Sequence, residues 1–324
     1  MHDWTDVWVS HDGAHWRACA EAIASSLRAR GCGAVVIGPA DFASWAVCVG
    51  DDGIVVTAAG RNMQAPKAIL HLRSPVPQSP GLPVVAAQFV EAQWRTMFRG
   101  LLLSLEEQGV PVLNPTQATR WDEKTAQLAA ARAVGLEIPA TLQAAFSAPL
   151  KSFAELYGTA IAAKTFRPFR RPTSDRGFQW SPTRLVEANV MSRDLDGTDH
   201  PAPFVMQPFI EAAAEHRVFV TRDQVFGARV EREAETAVDV RHADVATMSL
   251  TSSSLPDELA SQCVALARRC GLDYAVMDLL ETDDGYVFLD LNPGGLFYWV
   301  EQRTGQSLTN ALAETVVARA ASVA

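Results

Sequence analysis

At 324 residues, with 48% hydrophobic and 20% charged residues, the chain is long enough for two or three packed units. A net charge of -9 leaves no excess of Lys and Arg to displace counterions, which argues against a nucleic-acid surface but not against a local basic pocket. No apolar run approaches the roughly 18 to 20 residues that cross a bilayer, and the first residues lack the basic end and apolar core of a signal peptide, so a cytoplasmic protein is expected.

Residues 1–115 alternate β-rich runs (Val7 to Val9, Ala34 to Ile37, Ile54 to Thr57, Ile69 to Leu72) with helical patterns, the clearest from Ala14 to Arg30. That alternation predicts an open α/β layer. Gly31-Cys32-Gly33 lacks the third glycine of a dinucleotide fingerprint, which disfavours a nicotinamide cofactor. A Pro-rich loop from Ser74 to Pro83 precedes a long amphipathic helix from about Val84 to Gln108. Residues 116–203 predict a second unit, with a helix from Glu123 to Val134 stopped by Gly135 and a strand around Ile161 to Lys164. Phe166 to Asp199, rich in Arg, Pro, Ser and Gly, is expected to contain a mobile loop. Residues 204–324 read as strand, strand, helix (Asp257 to Cys270), hairpin, helix (Leu308 to Ala320). The whole is α/β, in part α+β.

The hairpin carries the chemistry. Asp278 to Glu281 lead through Asp283, Asp284 and Gly285 into Tyr286 to Gly295, two apolar segments joined by an acidic Gly turn. A side-chain period of two puts Asp290 and Asn292 on one face. With Asp278 they form an oxygen donor set of the kind Mg²⁺ takes, completed by water and phosphate, although the same acids would suit a solvated turn. Pro293, Gly294 and Gly295 would end the strand and admit a close backbone approach.

The sequence has no Gly-x-x-x-x-Gly-Lys-Ser/Thr loop, no Gly-x-Ser-x-Gly elbow, no His-Glu-x-x-His helix and no zinc-type His/Cys spacing. The five cysteines, Cys19, Cys32, Cys48, Cys263 and Cys270, form no Cys-x-x-Cys pair and are expected to be reduced thiols. What remains is dispersed: Lys124 at a helix start, Lys164 at a strand end, Glu215 and Arg217 on one strand face, Arg229 on the next strand, and Arg241 in a further short segment.

In their order these residues resemble the ATP-grasp carboxylate ligases over about residues 110–315. The run is Asn114-Pro115, Asp122-Glu123-Lys124 with Gln127-Leu128, Gly135 to Thr141, Lys164, Val205 to Ile210, Glu215-His216-Arg217, then the hairpin. Within them the likeness is greatest to the microviridin-type, or graspetide, ring-forming ligases. It rests on Val238 to Arg241 before Leu255-Pro256, on Asn292 to Gly295 followed by Trp299, Glu301 and Thr304-Gly305, and on Arg73 with the helix of Trp94 and Arg95.

The resemblance implies a three-part ATP-grasp fold and two reaction steps. A side-chain carboxylate of a precursor peptide would attack the γ-phosphorus of ATP to give an acyl phosphate. A Ser/Thr hydroxyl or Lys amine would then displace phosphate to close an ester or amide ring. Lys124 and Lys164 would hold the phosphates, Gln207, Pro208, Phe209 and Ile210 the adenine, and Asp278, Asp290 and Asn292 two Mg²⁺. Arg217 and Arg241, with Arg229, would face the transferring groups, where a guanidinium binds in two-pronged fashion. Glu215 would orient Arg217 or take the nucleophile's proton. Arg73, Glu187 and Glu301 are candidates for the substrate and its leader, and a homodimer is expected.

Departures accompany the likeness. Ala212-Ala213-Ala214 replace the usual Lys before the Glu-x-Arg strand, His216 replaces an aliphatic residue, Leu72-Arg73-Ser74 stands for Arg-Arg-Pro, and Glu187-Ala188-Asn189 occupies the leader-facing stretch. Two alternatives stay open: a ligase for a free amino acid or small metabolite, and a nucleotide-binding regulator on the same scaffold.

Overall fold

The computed structural model describes residues 7–50, 53–166, 170–172, 178–180, 183–197, 202–231 and 249–322. The first unit runs β1 (Val7–Ser10), α1 (Ala14–Ala29), β2 (Ala34–Ile37), α2 (Pro39–Phe42), β3 (Trp45–Gly50), β4 (Gly53–Ala58), β5 (Arg61–Met63), β6 (Ala68–His71), α3 (Val84–Glu107) and β7 (Val112–Leu113). The expected α/β layer is present as a parallel sheet in the order β2-β1-β6-β7. The segment around Ile54 lies outside it, in an antiparallel meander β3-β4-β5. The short step from Gly50 to Gly53 permits only an antiparallel return, because a parallel crossover takes a dozen or more residues.

After a 3-10 turn (Thr116–Asp122) come α4 (Lys124–Ala133), β8 (Leu142–Ala144), α5 (Ser147–Tyr157), β9 (Ala160–Thr165), β10 (Arg170–Pro172), β11 (Phe178–Trp180), β12 (Arg184–Glu187), α6 (Ala188–Asp196) and β13 (Phe204–Pro208). An antiparallel sheet β12-β9-β13-β8 carries α5 and α6 on one face, over a core that includes Leu150, Ile161, Met191, Leu195 and Met206. The stretch from Phe166 to Asp199, expected to contain a loop, holds the β10–β11 pair, β12 and α6 among its described residues. The spacing of Ala188, Met191 and Leu195 gives α6 a buried stripe that the polar composition obscured.

The last part is β14 (Ala214–Thr221), β15 (Gln224–Glu231), β16 (Leu250–Ser253), α7 (Asp257–Arg269), β17 (Tyr274–Thr282), β18 (Gly285–Asn292), α8 (Tyr298–Thr304) and α9 (Leu308–Ala321). Its strands form an antiparallel sheet β16-β15-β14-β17-β18. One face shares a core with the first unit, where Val7, Val9 and Leu27 meet Phe219, Val276, Phe297 and Leu312. The other face packs α7 and α4 through Leu266, Leu128 and Ala131 against Val218, Met277 and Phe288.

Two boundaries therefore differ from the sequence reading. β13, expected to open the last unit, pairs with both β8 and β9 in the central sheet. Helix α4, expected in the middle unit, packs on the last, because its apolar stripe fits the β17–β18 face. Among the described residues, no helix is long and apolar enough to cross a membrane.

Candidate active site

Strand pairing assembles the site in one transverse row. Arg217 on β14 lies opposite Asp278 on β17, and Asp278 lies opposite Asp290 on β18. The Arg217 Nη1 donates to Asp278 at 2.7 Å and its Nη2 to the Leu296 carbonyl at 3.1 Å. Nothing among the described residues accepts from its buried Nε, so the guanidinium keeps one donor in hand. Asn292 donates to Asp290 at 3.0 Å, which places both on one face as the alternation predicts.

The hairpin reaches this arrangement through a bulge that the sequence did not announce. Strict alternation from Tyr286 would put Asp290 on the same face as Phe288, and Phe288 is wholly buried in the α4–α7 core. The register shifts between Asp278 and Leu279, opposite Leu289, so Phe288 and Leu291 face that core while Asp290 and Asn292 turn the other way. Bulges of this kind re-aim side chains beside active sites. The Leu289 carbonyl accepts from Lys124 Nζ at 2.8 Å, and the same ammonium pairs with the Asp290 carboxylate.

Two side chains brace the free edge and end of β18. Gln127 donates to the Leu291 carbonyl at 2.7 Å and accepts from the Leu291 N–H at 3.3 Å, as a neighbouring strand would. Asn114, buried, donates to the carbonyls of Tyr274 (2.7 Å) and Pro293 and accepts from the N–H groups of Asp273 (2.7 Å) and Tyr274 (3.1 Å). Gly295 is needed for space, and Gly294 lies against a side chain from the first unit. A Cβ at Gly295 would stand 2.7 Å from the Val276 Cβ, and one at Gly294 would stand 2.7 Å from an Arg73 guanidinium nitrogen. Arg73, whose Cζ lies 4.6 Å from the centre of the Trp16 ring, thus brings the first unit to the end of the hairpin.

On the central sheet, Lys164 is opposite Val205 and shares its face with Ala162 and Gln207, away from the core under α5 and α6. Where β13 ends, Gln207 donates to the Thr141 hydroxyl at 2.9 Å and the Phe209 N–H donates to the Ala160 carbonyl at 2.8 Å. Pro208 closes β13 opposite Ile161, and Ile210 follows, half-buried. The Ala213 N–H then bonds the Glu281 carbonyl at 2.8 Å, carrying the chain into β14. Glu215, Leu280 and Val287 form the next row on the Arg217 face. Leu280 and Val287 are buried yet stand in neither core that flanks the sheet. The sequence could not single them out, since apolar strand residues read as ordinary core.

Other expected residues are placed elsewhere. Arg229 pairs across from His216, and the period of two sets both on the face opposite Arg217, so Arg229 does not join the row. There its Nε donates to Glu281 at 3.0 Å, beside the His216 Nε2 at 2.8 Å, while the Ser253 hydroxyl lies 3.3 Å from His216 Nδ1. The bond to His216, then that to Arg229, holds the Glu281 carboxyl below its ordinary range. Glu301 accepts from the N–H and hydroxyl of Thr309 at 2.6 and 2.7 Å, capping the start of α9. Glu187 is exposed where β12 meets α6. Arg241 lies outside the described residues, as does the segment from Val238 that carried part of the resemblance.

The donor set suits a hard divalent cation. Two carboxylates and an amide share one face; among the described residues three His, Cys, Asp or Glu side chains do not cluster, so the third donor is the amide of Asn292. Oxygen donors of this kind fit Mg²⁺ when phosphate and water complete the shell.

Comparison with known proteins agrees with this architecture. The RimK-like ATP-grasp domain profile matches residues 187–316. No curated protein sequence matches significantly. Among solved structures, the chain is similar to the macrocyclase MdnC bound with precursor peptide MdnA from Microcystis aeruginosa MRC, at 22% identity over 96% of this chain and 99% of that one, with a TM-score of 0.81. It is similar to a Chryseobacterium gregarium RiPP-associated ATP-grasp ligase in complex with ADP and a leader and core peptide, at 18% identity over 97% and 96%, with a TM-score of 0.82. It is also similar to the ATP-grasp ligase PsnB complexed with minimal precursor, at 25% identity over 97% and 99%, with a TM-score of 0.76. Residues 187–316 match the RimK-like ATP-grasp domain, and over nearly its whole length the chain has the fold of these solved ATP-grasp ligases.

Proposed function

We propose that this chain is an ATP-dependent, ADP-forming peptide ligase that joins Asp or Glu side chains of a ribosomally made precursor to Ser/Thr hydroxyls or a Lys amine. The row Arg217, Asp278 and Asp290, with Asn292 beside it on the same face, carries the reading, in a fold shared with ligases solved with precursor peptides. A carboxylate has no leaving group at neutral pH. Its oxygen attacks the γ-phosphorus, the bond to the β-phosphate oxygen breaks, and ADP leaves. The hydroxyl or amine then adds to the acyl carbonyl, phosphate departs with the bonding pair, and the nucleophile gives up its proton.

Each step finds a group in the site. Lys124 and Lys164 hold phosphate oxygens, Lys124 by exchanging its bond to Asp290. Asp278, Asp290 and Asn292 would hold Mg²⁺, two ions being our reading, which when bound neutralises charge on the phosphates. Arg217 meets the transferring phosphoryl group and the acyl oxyanion. Glu215 sits on the same face to orient Arg217 or accept the nucleophile's proton. Main-chain groups from Gln207 to Ile210 take the adenine edge, over Leu280 and Val287. Arg241 joins the phosphates from the segment before β16, Glu187 contributes to a leader surface with α6, and Arg73 orients the substrate carboxyl at Gly294. The protein works in the cytoplasm as a homodimer.

Mass spectrometry with an acidic, hydroxyl-rich precursor tests this reading. One water is lost from the peptide per bond when ATP and Mg²⁺ are present. Consumption of ATP with a free amino acid and none with any such peptide would transfer the site to the small-metabolite ligases.

A further inference from the structure

Each carboxylate of the proposed metal set is paired with a cation of the chain itself. Asp278 accepts from Arg217 at 2.7 Å, and Asp290 pairs with the Lys124 ammonium through one oxygen. The other Asp290 oxygen accepts from the Asn292 amide at 3.0 Å, so each oxygen of that carboxylate has a donor. Two cations against two anions leave this row without net charge. A divalent ion that enters it alone meets an ammonium and a guanidinium, and must displace one of them to gain a carboxylate.

The local structure decides which one yields. Lys124 is the first residue of α4, a helix with no acid in its first turn. A cation there opposes the helix dipole, so α4 gives no reason for a lysine at that position. Its seat comes from the hairpin. The bulge leaves Leu289 out of the β17 ladder, and the Leu289 carbonyl accepts from Lys124 Nζ at 2.8 Å beside the Asp290 carboxylate. The Gln127 side chain, one turn on, accepts from the same ammonium at 3.3 Å. Lys124 thus sits among oxygen acceptors, on a flexible stem that can swing away. Arg217 is fixed by two donors on two partners, Asp278 and the Leu296 carbonyl.

We propose that Lys124 competes with the divalent cation for Asp290, and that the phosphates of the nucleotide lift this competition by drawing the ammonium to themselves. The inference rests on the metal and phosphate roles of the preceding reading. Lys124 then acts in two opposite directions: it strengthens nucleotide binding, and it weakens metal binding wherever the nucleotide is missing. A lysine that served the phosphates alone would do only the first.

Mn²⁺ binding followed by electron paramagnetic resonance, with no peptide present, tests the proposal. Lys124→Gln removes the charge and keeps a donor for the Leu289 carbonyl. Without nucleotide it should bind Mn²⁺ about 10-fold tighter than the parent, within the roughly 5- to 150-fold range of coupling between sites. Lys124→Met should gain likewise, and circular dichroism verifies that each variant keeps the fold. Lys124→Arg, which keeps the charge, should show no gain, and adding Asp290→Ala to Lys124→Gln should remove it. At saturating ADP, whose phosphates take Lys124 in the parent, the gain should vanish. Equal Mn²⁺ affinity of the parent and both neutral variants without nucleotide overturns the proposal, as does a gain that survives Asp290→Ala or persists at saturating ADP. Peptide dehydration is measured separately, so such a result leaves the ligase reading to its own test.

Discussion

Arg217 and His71 show how differently two side chains report on this protein. Arg217 is held by Asp278 and the Leu296 carbonyl, with Nε buried and without a partner among the described residues. Arg217→Ala should lower bond formation by about 100-fold or more, the effect of removing one charge-stabilising donor, with a much smaller change in ATP affinity. Single-turnover kinetics beside calorimetry separates the two; equal losses in both would make Arg217 a ground-state contact. His71, at the end of β6, is structural. Burial, with Arg73 adding to it, pushes its imidazole from the ordinary 6.5 down to about 4. The unfolded chain then binds a proton that the folded one refuses, so stability falls as pH drops from 6.5 towards 4. Urea titrations of the parent and His71→Gln should diverge across that window, the variant showing the flatter dependence. Parallel curves would remove His71 from the acid response.

At the scale of elements, the β17–β18 hairpin decides the site. Its turn, its two acids and Asn292 were legible in the sequence, because a Gly turn between apolar runs and polar residues inside a strand are strong local signals. The bulge at Leu289 was not, since it depends on Phe288 finding a core made by α4 and α7, far away in the chain. The same limit explains Arg229: the sequence placed it on the strand after Arg217 but could not give the register that turns it to the His216 and Glu281 side. Phe288→Ala should cost about 3–5 kcal/mol of unfolding free energy, as for other buried aromatics, and should impair catalysis only through the hairpin. Asp290→Ala should instead abolish ATP turnover at a much smaller cost in stability, since it leaves the core untouched. Near-normal turnover by Asp290→Ala in saturating Mg²⁺ would take Asp290 out of the ligand set.

Across the whole molecule, the first parallel layer and the last antiparallel sheet form one body. Their shared core is reinforced at the surface by Ser26 to Asn310 and Arg30 to Glu314, each at 2.8 Å between α1 and α9. The central sheet has its own core and joins this body through the hinge after β13. Strands and helices of the first layer were readable from periodicity, but its fusion to the last unit was not, because no local pattern records which two apolar faces will meet. The order of dispersed Lys, Arg, Asp and Asn residues carried the family likeness where single motifs could not.

The direct test of the central claim is the stoichiometry of nucleotide products during peptide crosslinking. One ADP and one phosphate should appear for each water lost from the peptide, because the acceptor carboxylate attacks the terminal phosphorus beside Arg217. AMP and pyrophosphate as the stoichiometric products, or ADP release with no accompanying bond, would contradict the account.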